Sequence, residues 1–246
     1  GPFDKNHSKV EAGCIIEKID GVEITNELDY YPLLNKKVGK QVLVSVYNPD
    51  TKKRWEEIVK PISKGTQNEL LYQRWIKHNA EVVDSLSNGT LGYVHIKSMG
   101  DASYRDVYAD ILGKYNKRKG IVIDTRFNGG GRLHEDIEIL FSGEKYLEQV
   151  IRDSVACVMP SRRYVKPSIM LMCEANYSNA HGTPWVYKYK KMGKLVGMPV
   201  PGTMSSVTWE TLQDESMYFG LPTVGYRTQE GYYLENSQLE PDVKVR

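Results

Sequence analysis

Residues 169–184 of this 246-residue chain run Ile169-Met170-Leu171-Met172-Cys173, then Glu174-Ala175-Asn176-Tyr177, then Ser178-Asn179-Ala180-His181-Gly182-Thr183-Pro184. An apolar run passes through a turn into a helical stretch, and Ser178 stands at the joint. A serine there has chemical use. The backbone N–H groups from Asn179 onward lack intrahelical acceptors and point to where an oxyanion would develop, which is the geometry of acyl transfer. On local sequence alone, a plain helix cap is the default role for such a serine.

A second constellation, Ile121-Val122-Ile123-Asp124-Thr125-Arg126-Phe127-Asn128-Gly129-Gly130-Gly131, is an apolar run that ends in a glycine-rich loop. Three glycines let the backbone approach a bound group and aim N–H donors at it. An oxyanion and a phosphate would both suit such a loop. The glycines lack the G-x-G-x-x-G spacing and no Gly-Lys-Ser or Gly-Lys-Thr follows, which argues against a nucleotide. Asp124 and Arg126 read as a structural ion pair rather than as catalytic groups.

Positioning these loops requires strands that end where the loops begin. Apolar runs at 91–96, 121–125, 169–173 and 194–198 read as strands, and the stretches 103–116, 133–141 and 183–191 as helices. Strands alternating with helices are βαβ units, so the fold class is α/β with a parallel-rich, mixed sheet. The C-terminal residues read as β-hairpins. A different pattern precedes this core: short apolar runs at 14–19 and 22–24 separated by Asp20-Gly21, a short helix at 28–34, and two alternating strands at 41–47 and 54–60 joined by Asn48-Pro49-Asp50. This is a small β-rich module ending near Ile62. Residues 63–68 read as a polar linker, and from Glu69 apolar residues recur along one face of a helix.

Charge is nearly balanced, with 33 basic and 31 acidic side chains and no long run of one sign, so a nucleic-acid partner has no support. The longest apolar stretches fall far short of the roughly 18 residues a membrane span needs. Cys14, Cys157 and Cys173 are too dispersed for a metal or redox motif and read as core-filling thiols. No cofactor and no metal is implied.

Four stretches together resemble the tricorn-type branch of the C-terminal-processing serine peptidases. Residues 10–22 resemble that family's PDZ signature, 91–96 the strand that opens its catalytic core, 124–131 its strand-to-loop motif, and Gly193-Lys194-Leu195-Val196-Gly197 falls at the family's usual distance after the nucleophile. The resemblance implies a PDZ-like domain at 1–63 that lacks its first strand, a linker and start of the core at 64–80, and a serine peptidase core at 81–246. It selects Ser178 as nucleophile, with the N–H of Asn179 and that of Gly130 or Gly129 as oxyanion hole. Glu235, in Tyr233-Leu234-Glu235-Asn236, takes the place of the glutamate that orients the base. Gly1-Pro2-Phe3 is expected in the carboxylate-binding loop of the PDZ-like domain, and Glu240 and Asp242 match a structural Pro-Asp turn.

The departures bear on mechanism. No lysine stands near Thr203, where one branch of the family has its base, so a Ser/Lys dyad is not expected. The tricorn branch takes its histidine from a Ser-His pair ahead of the PDZ domain. None of His7, His78, His95, His134 and His181 lies in such a pair, so these residues by themselves are expected to be nearly inert. Cys14 replaces the aspartate usual in the PDZ signature. The implied partner is a peptide or protein substrate captured by strand addition, and a homo-oligomer is allowed. Exported bacterial relatives imply a periplasmic or exported location, with the cytoplasm as alternative. The rival reading is a non-catalytic peptide-binding protein on the same fold.

Overall fold

The computed structural model describes residues 1–4 and 7–246. The chain divides into two compact units, Gly1–Lys77 and His78–Arg246.

In the first unit, β1 (Ile15–Ile19) turns through Asp20 and Gly21, both at positive φ, into β2 (Val22–Glu23). β3 (Val42–Asn48) and β4 (Lys53–Val59) form the expected hairpin, and the antiparallel sheet runs β2-β1-β3-β4. The alternation along β3 buries Val42, Val44 and Val46 with Ile19 and Val59 on one face. Two expectations change here. The helix read at 28–34 shrinks to a single 3-10 turn, Tyr31–Leu34, because Pro32 tolerates only a first turn and the Asp29 carboxylate accepts the Tyr31 N–H at 3.0 Å. The polar linker at 63–68 is instead the start of a helix, α1 (Lys64–Leu86). Ser63 acts as its cap, its Oγ accepting the Thr66 N–H at 3.0 Å.

The second unit is built on β5 (Leu91–His95), α2 (Asp101–Ala109), β6 (Gly120–Asp124), α3 (His134–Ser142), the ribbon β7 (Leu147–Ile151) and β8 (Ser154–Met159), β9 (Ser168–Met172), α4 (Asn179–Tyr189), β10 (Lys194–Gly197), the ribbon β11 (Ser206–Thr211) and β12 (Tyr218–Val224), and β13 (Val243–Lys244). Five strands form one sheet in the order β13-β10-β9-β6-β5. All four of its ladders are parallel, which sharpens the mixed sheet expected from sequence: antiparallel pairing is left to the two ribbons and to isolated bridges such as Val200 with Leu239. β6 is buried along its whole length, which explains its unbroken apolar run. Ile121, Ile123, Met170, Met172 and Leu195 from the sheet pack with Val107, Ile137, Leu140 and Tyr187 from the helices.

The ribbon β7–β8 had no counterpart in the sequence reading. Its turn uses Arg152 and Asp153, both at positive φ, in place of the Asn-Gly pair that would have announced it. Of the three cysteines only Cys173 is buried; Cys14 and Cys157 are half-buried.

Candidate active site

Every strand of a parallel sheet ends at the same edge, so the loops after β6 and β9 emerge side by side. The β9 loop turns sharply. Ser178 has φ 54° and ψ −124°, a conformation that costs a non-glycine residue of order 1–3 kcal/mol and persists only where surroundings enforce it. The enforcing bonds are visible. Tyr177 N–H donates to the Asn128 carbonyl at 3.0 Å, His181 N–H to the Ser178 carbonyl at 2.7 Å, and Ala180 N–H to Tyr177 at 3.0 Å. Buried Asn176 donates from Nδ2 to Thr125 Oγ1 at 2.9 Å and to the Ala180 carbonyl at 3.2 Å. The second of these bonds solves a backbone problem, since Pro184 lies inside α4 and has no N–H to give the carbonyl four residues earlier.

The sequence placed the start of this helix near Thr183, with Pro184 in its first turn. It begins instead at Asn179, directly after the serine. Ser178 precedes the helix yet its side chain makes no capping bond, so the helix-cap reading does not account for it. The hydroxyl sits, half-buried, at the positive end of α4.

The glycine loop is moored to this turn. Asn128 is fully buried and donates from Nδ2 to the Ile96 carbonyl at 2.7 Å, while its Oδ1 accepts the Gly130 N–H at 2.8 Å. Gly130 has φ +97°, and a Cβ there would lie 2.7 Å from Ser178 Cβ and 2.8 Å from the Tyr177 carbonyl oxygen. Only a bare α-carbon fits against the serine. Of the two glycines expected to donate to an oxyanion, Gly130 thus has its N–H engaged with Asn128, whereas Gly129 is exposed.

Asn179 performs a second task that the sequence reading missed. Its Oδ1 accepts the N–H groups of Leu133 and His134 at 2.9 and 3.1 Å, capping α3 from outside. Its Nδ2 lies 2.7 Å from His134 Nδ1. Because Oδ1 already accepts two N–H groups, Nδ2 is the donor, and His134 is held with Nδ1 as acceptor. The Ser178 turn and the first turn of α3 are therefore tied by one side chain. Its partners lie some 45 residues away in sequence, so no local motif signals it.

Glu235 is half-buried, and its Oε2 accepts the N–H groups of Met204 and Ser205 at 2.8 and 2.7 Å. Burial works against its charge, but these donors outweigh burial and hold the carboxyl below the usual carboxylate range. His181, on the first turn of α4, is completely buried and neither ring nitrogen has a hydrogen-bond partner. Burial pushes its pKa down, against the pull of the Glu235 charge. The His181 ring is thus bonded neither to Ser178 nor to Glu235. Beside these residues lies a cavity of about 150 Å³ whose walls include His134, Gly182, Trp185, Met204, Tyr226 and Leu234.

Asp124 and Arg126 behave as read from sequence. Asp124 is fully buried and receives Arg126 at 2.6 Å and the Tyr93 hydroxyl at 2.7 Å, which closes the end of β6. In the first unit, Gly1 and Pro2 line a cavity of about 750 Å³ with Ile58, Lys60 and Thr66. Pro2 and Phe3 line a second, apolar one of about 410 Å³ with Ile19, Leu34 and Val44. Among the described residues no helix is long and apolar enough to cross a membrane.

Known proteins resemble this chain in sequence and in fold. The tricorn protease of Thermoplasma acidophilum is 24% identical over 243 residues, which cover 95% of this chain and 22% of that protein. A tricorn protease homolog of Saccharolobus solfataricus is 24% identical over 247 residues, covering 96% of this chain and 22% of the homolog. The chain therefore spans little more than a fifth of the length of these relatives. A crystal structure of the tricorn protease shares the fold, with a TM-score of 0.79 at 22% identity over 95% of this chain and 22% of that one. The description "Peptidase family S41" matches residues 90–245, the greater part of the sequence, and the chain belongs to that family.

Proposed function

We propose that this chain carries the nucleophile, oxyanion donors and orienting carboxylate of a serine endopeptidase acting on peptide or protein substrates. The observation that supports this most is Ser178: it is strained, unused as a cap, and set at a helix N-terminus against the bare α-carbon of Gly130. A base removes the hydroxyl proton as Oγ attacks the peptide carbonyl. The tetrahedral oxyanion is received by Asn179 N–H and a glycine-loop N–H, each worth about 2.7–4 kcal/mol in such sites. Gly129 is the readier loop donor; Gly130 serves only if Asn128 releases it. The amine leaves with the proton, and water hydrolyses the acyl-enzyme.

Glu235, anchored on two backbone N–H groups, is proposed to orient the base, and the cavity lined by Met204 and Tyr226 to take a side chain flanking the scissile bond. The base is proposed to be a histidine other than the two tied to this turn, since His134 accepts from Asn179 and neither ring nitrogen of His181 has a partner. The first unit is proposed to act as a PDZ-like module that captures an extended peptide, with Gly1, Pro2 and Phe3 at its two cavities. The exported location implied by the resemblance gains no support from the archaeal relatives, and the cytoplasm is the location retained.

Fluorophosphonate labelling of the full-length polypeptide, read by mass spectrometry, tests the nucleophile. Label is expected on Ser178 and absent from Ser178→Ala; label that persists in the variant sinks the assignment. No label, together with peptide binding that survives in Ser178→Ala, would make the protein a non-catalytic peptide binder.

A further inference from the structure

The cavity of about 150 Å³ beside the Ser178 turn is small against the about 300–1,000 Å³ of pockets for drug-sized ligands, so it has room for a single side chain. Gly182, one turn of α4 after Ser178, and His134, tied to Asn179, both belong to its wall. Part of that wall is apolar, from Trp185, Val186 and Leu234. Met204 closes it against the bare α-carbon of Gly182, where a Cβ would lie 2.5 Å from its Cε.

The polar groups of the wall are of one kind. Thr228 is 8% exposed, and its Oγ1 is buried without a hydrogen-bond partner. A buried hydroxyl left in that state costs free energy that a bound polar group restores. The bond from Asn179 Nδ2 engages His134 Nδ1 as acceptor, which leaves the proton of the neutral ring on Nε2. Arg227 adds a permanent positive charge. The Tyr226 hydroxyl is already engaged with Ser206 Oγ at 3.0 Å. Among the described residues the wall holds no carboxylate: Glu235 stands outside it, with Oε2 taken by the N–H groups of Met204 and Ser205.

We propose that this cavity selects an acidic side chain, glutamate or aspartate, next to the scissile bond. Thr228, His134 Nε2–H and Arg227 are the groups that read its carboxylate. Donors and a positive charge with no acidic group suit a carboxylate, suit an amide less well, and give a lysine no counter-charge. This selectivity rests on Ser178 being the nucleophile beside the cavity.

The test uses peptides that differ in one residue, Glu, Gln, Leu or Lys, placed in turn on either side of the cleaved bond. They are incubated with the full-length protein and the cut is located by mass spectrometry. At one of the two positions kcat/KM for Glu should exceed that for Leu about tenfold and that for Lys about 100-fold, with Gln between Glu and Leu. Thr228→Val should bring the Glu-to-Leu ratio close to one, and Arg227→Glu should reverse the order of Glu and Lys, both with unchanged far-ultraviolet circular dichroism. Equal rates, a preference for Leu or Lys, or a Glu preference that survives both substitutions would overturn the proposal. If no peptide is cut, the serine reading fails and the cavity is judged by binding, from the fluorescence anisotropy of labelled Glu and Leu peptides on Ser178→Ala. Binding of the Glu peptide about tenfold tighter upholds the proposal; equal affinity, or no binding at about 1 mM, overturns it.

Discussion

Gly130 leaves no room for even a methyl group, and this is the most exposed point of the site to mutation. Gly130→Ala would add a Cβ within 2.7 Å of Ser178 Cβ at a φ of +97°. It should cost about 1–3 kcal/mol in urea unfolding and slow fluorophosphonate labelling of the full-length protein at least tenfold. Glu235→Gln should behave differently. It keeps an acceptor for Met204 and Ser205 but loses the charge, so turnover should fall about 100-fold or more with little change in stability. His181 supplies a pH dependence whose sign is fixed. Its pKa is depressed in the fold, as is that of buried His95. The unfolded chain therefore binds more protons as pH falls below about 6.5, and stability present above that pH is lost toward the depressed values. Thermal melts from pH 7.5 to 4.5 should show this loss, and His181→Leu should flatten the profile; an unchanged slope would remove His181 from the account. The strand, turn and helix around Ser178 were legible because they are contiguous, while the choice of that serine as nucleophile rested on the family resemblance. Asn179 was not, because its side chain answers to Leu133 and His134.

At the level of elements, four of the five parallel strands were read correctly since each is an apolar run bounded by a glycine or polar break, while the two-residue β13 is too short to show one. The errors came from residues with two meanings. Pro184 marks a first turn in most helices, but here its missing N–H is made good by Asn176, and the helix could begin five residues before it. Ser63 and Gly65 looked like linker composition until Ser63 proved to be a cap. Arg152 and Asp153 turn a ribbon without a glycine between them. The first of these gives a test. Asn176→Ala strands the Ala180 carbonyl in the core and should destabilise by about 1–3 kcal/mol, with the loss concentrated in hydrogen-exchange protection at the start of α4. Protection equal to wild type there would show that the carbonyl finds another donor.

Across the whole molecule, two units of different character share one chain, an antiparallel sheet in the first and a five-stranded parallel sheet in the second. The sequence reading began a second domain at Glu69; the units divide between Lys77 and His78, within a continuous helix.

The carboxylate of Glu235 is held by backbone N–H groups at positions 204 and 205, with the Ser205 side chain as a further donor. The two backbone anchors are indifferent to amino-acid identity. Exchange of serine at position 205 removes only the side-chain donor, and the one residue that also removes the backbone donor there is proline, which has no hydrogen to offer.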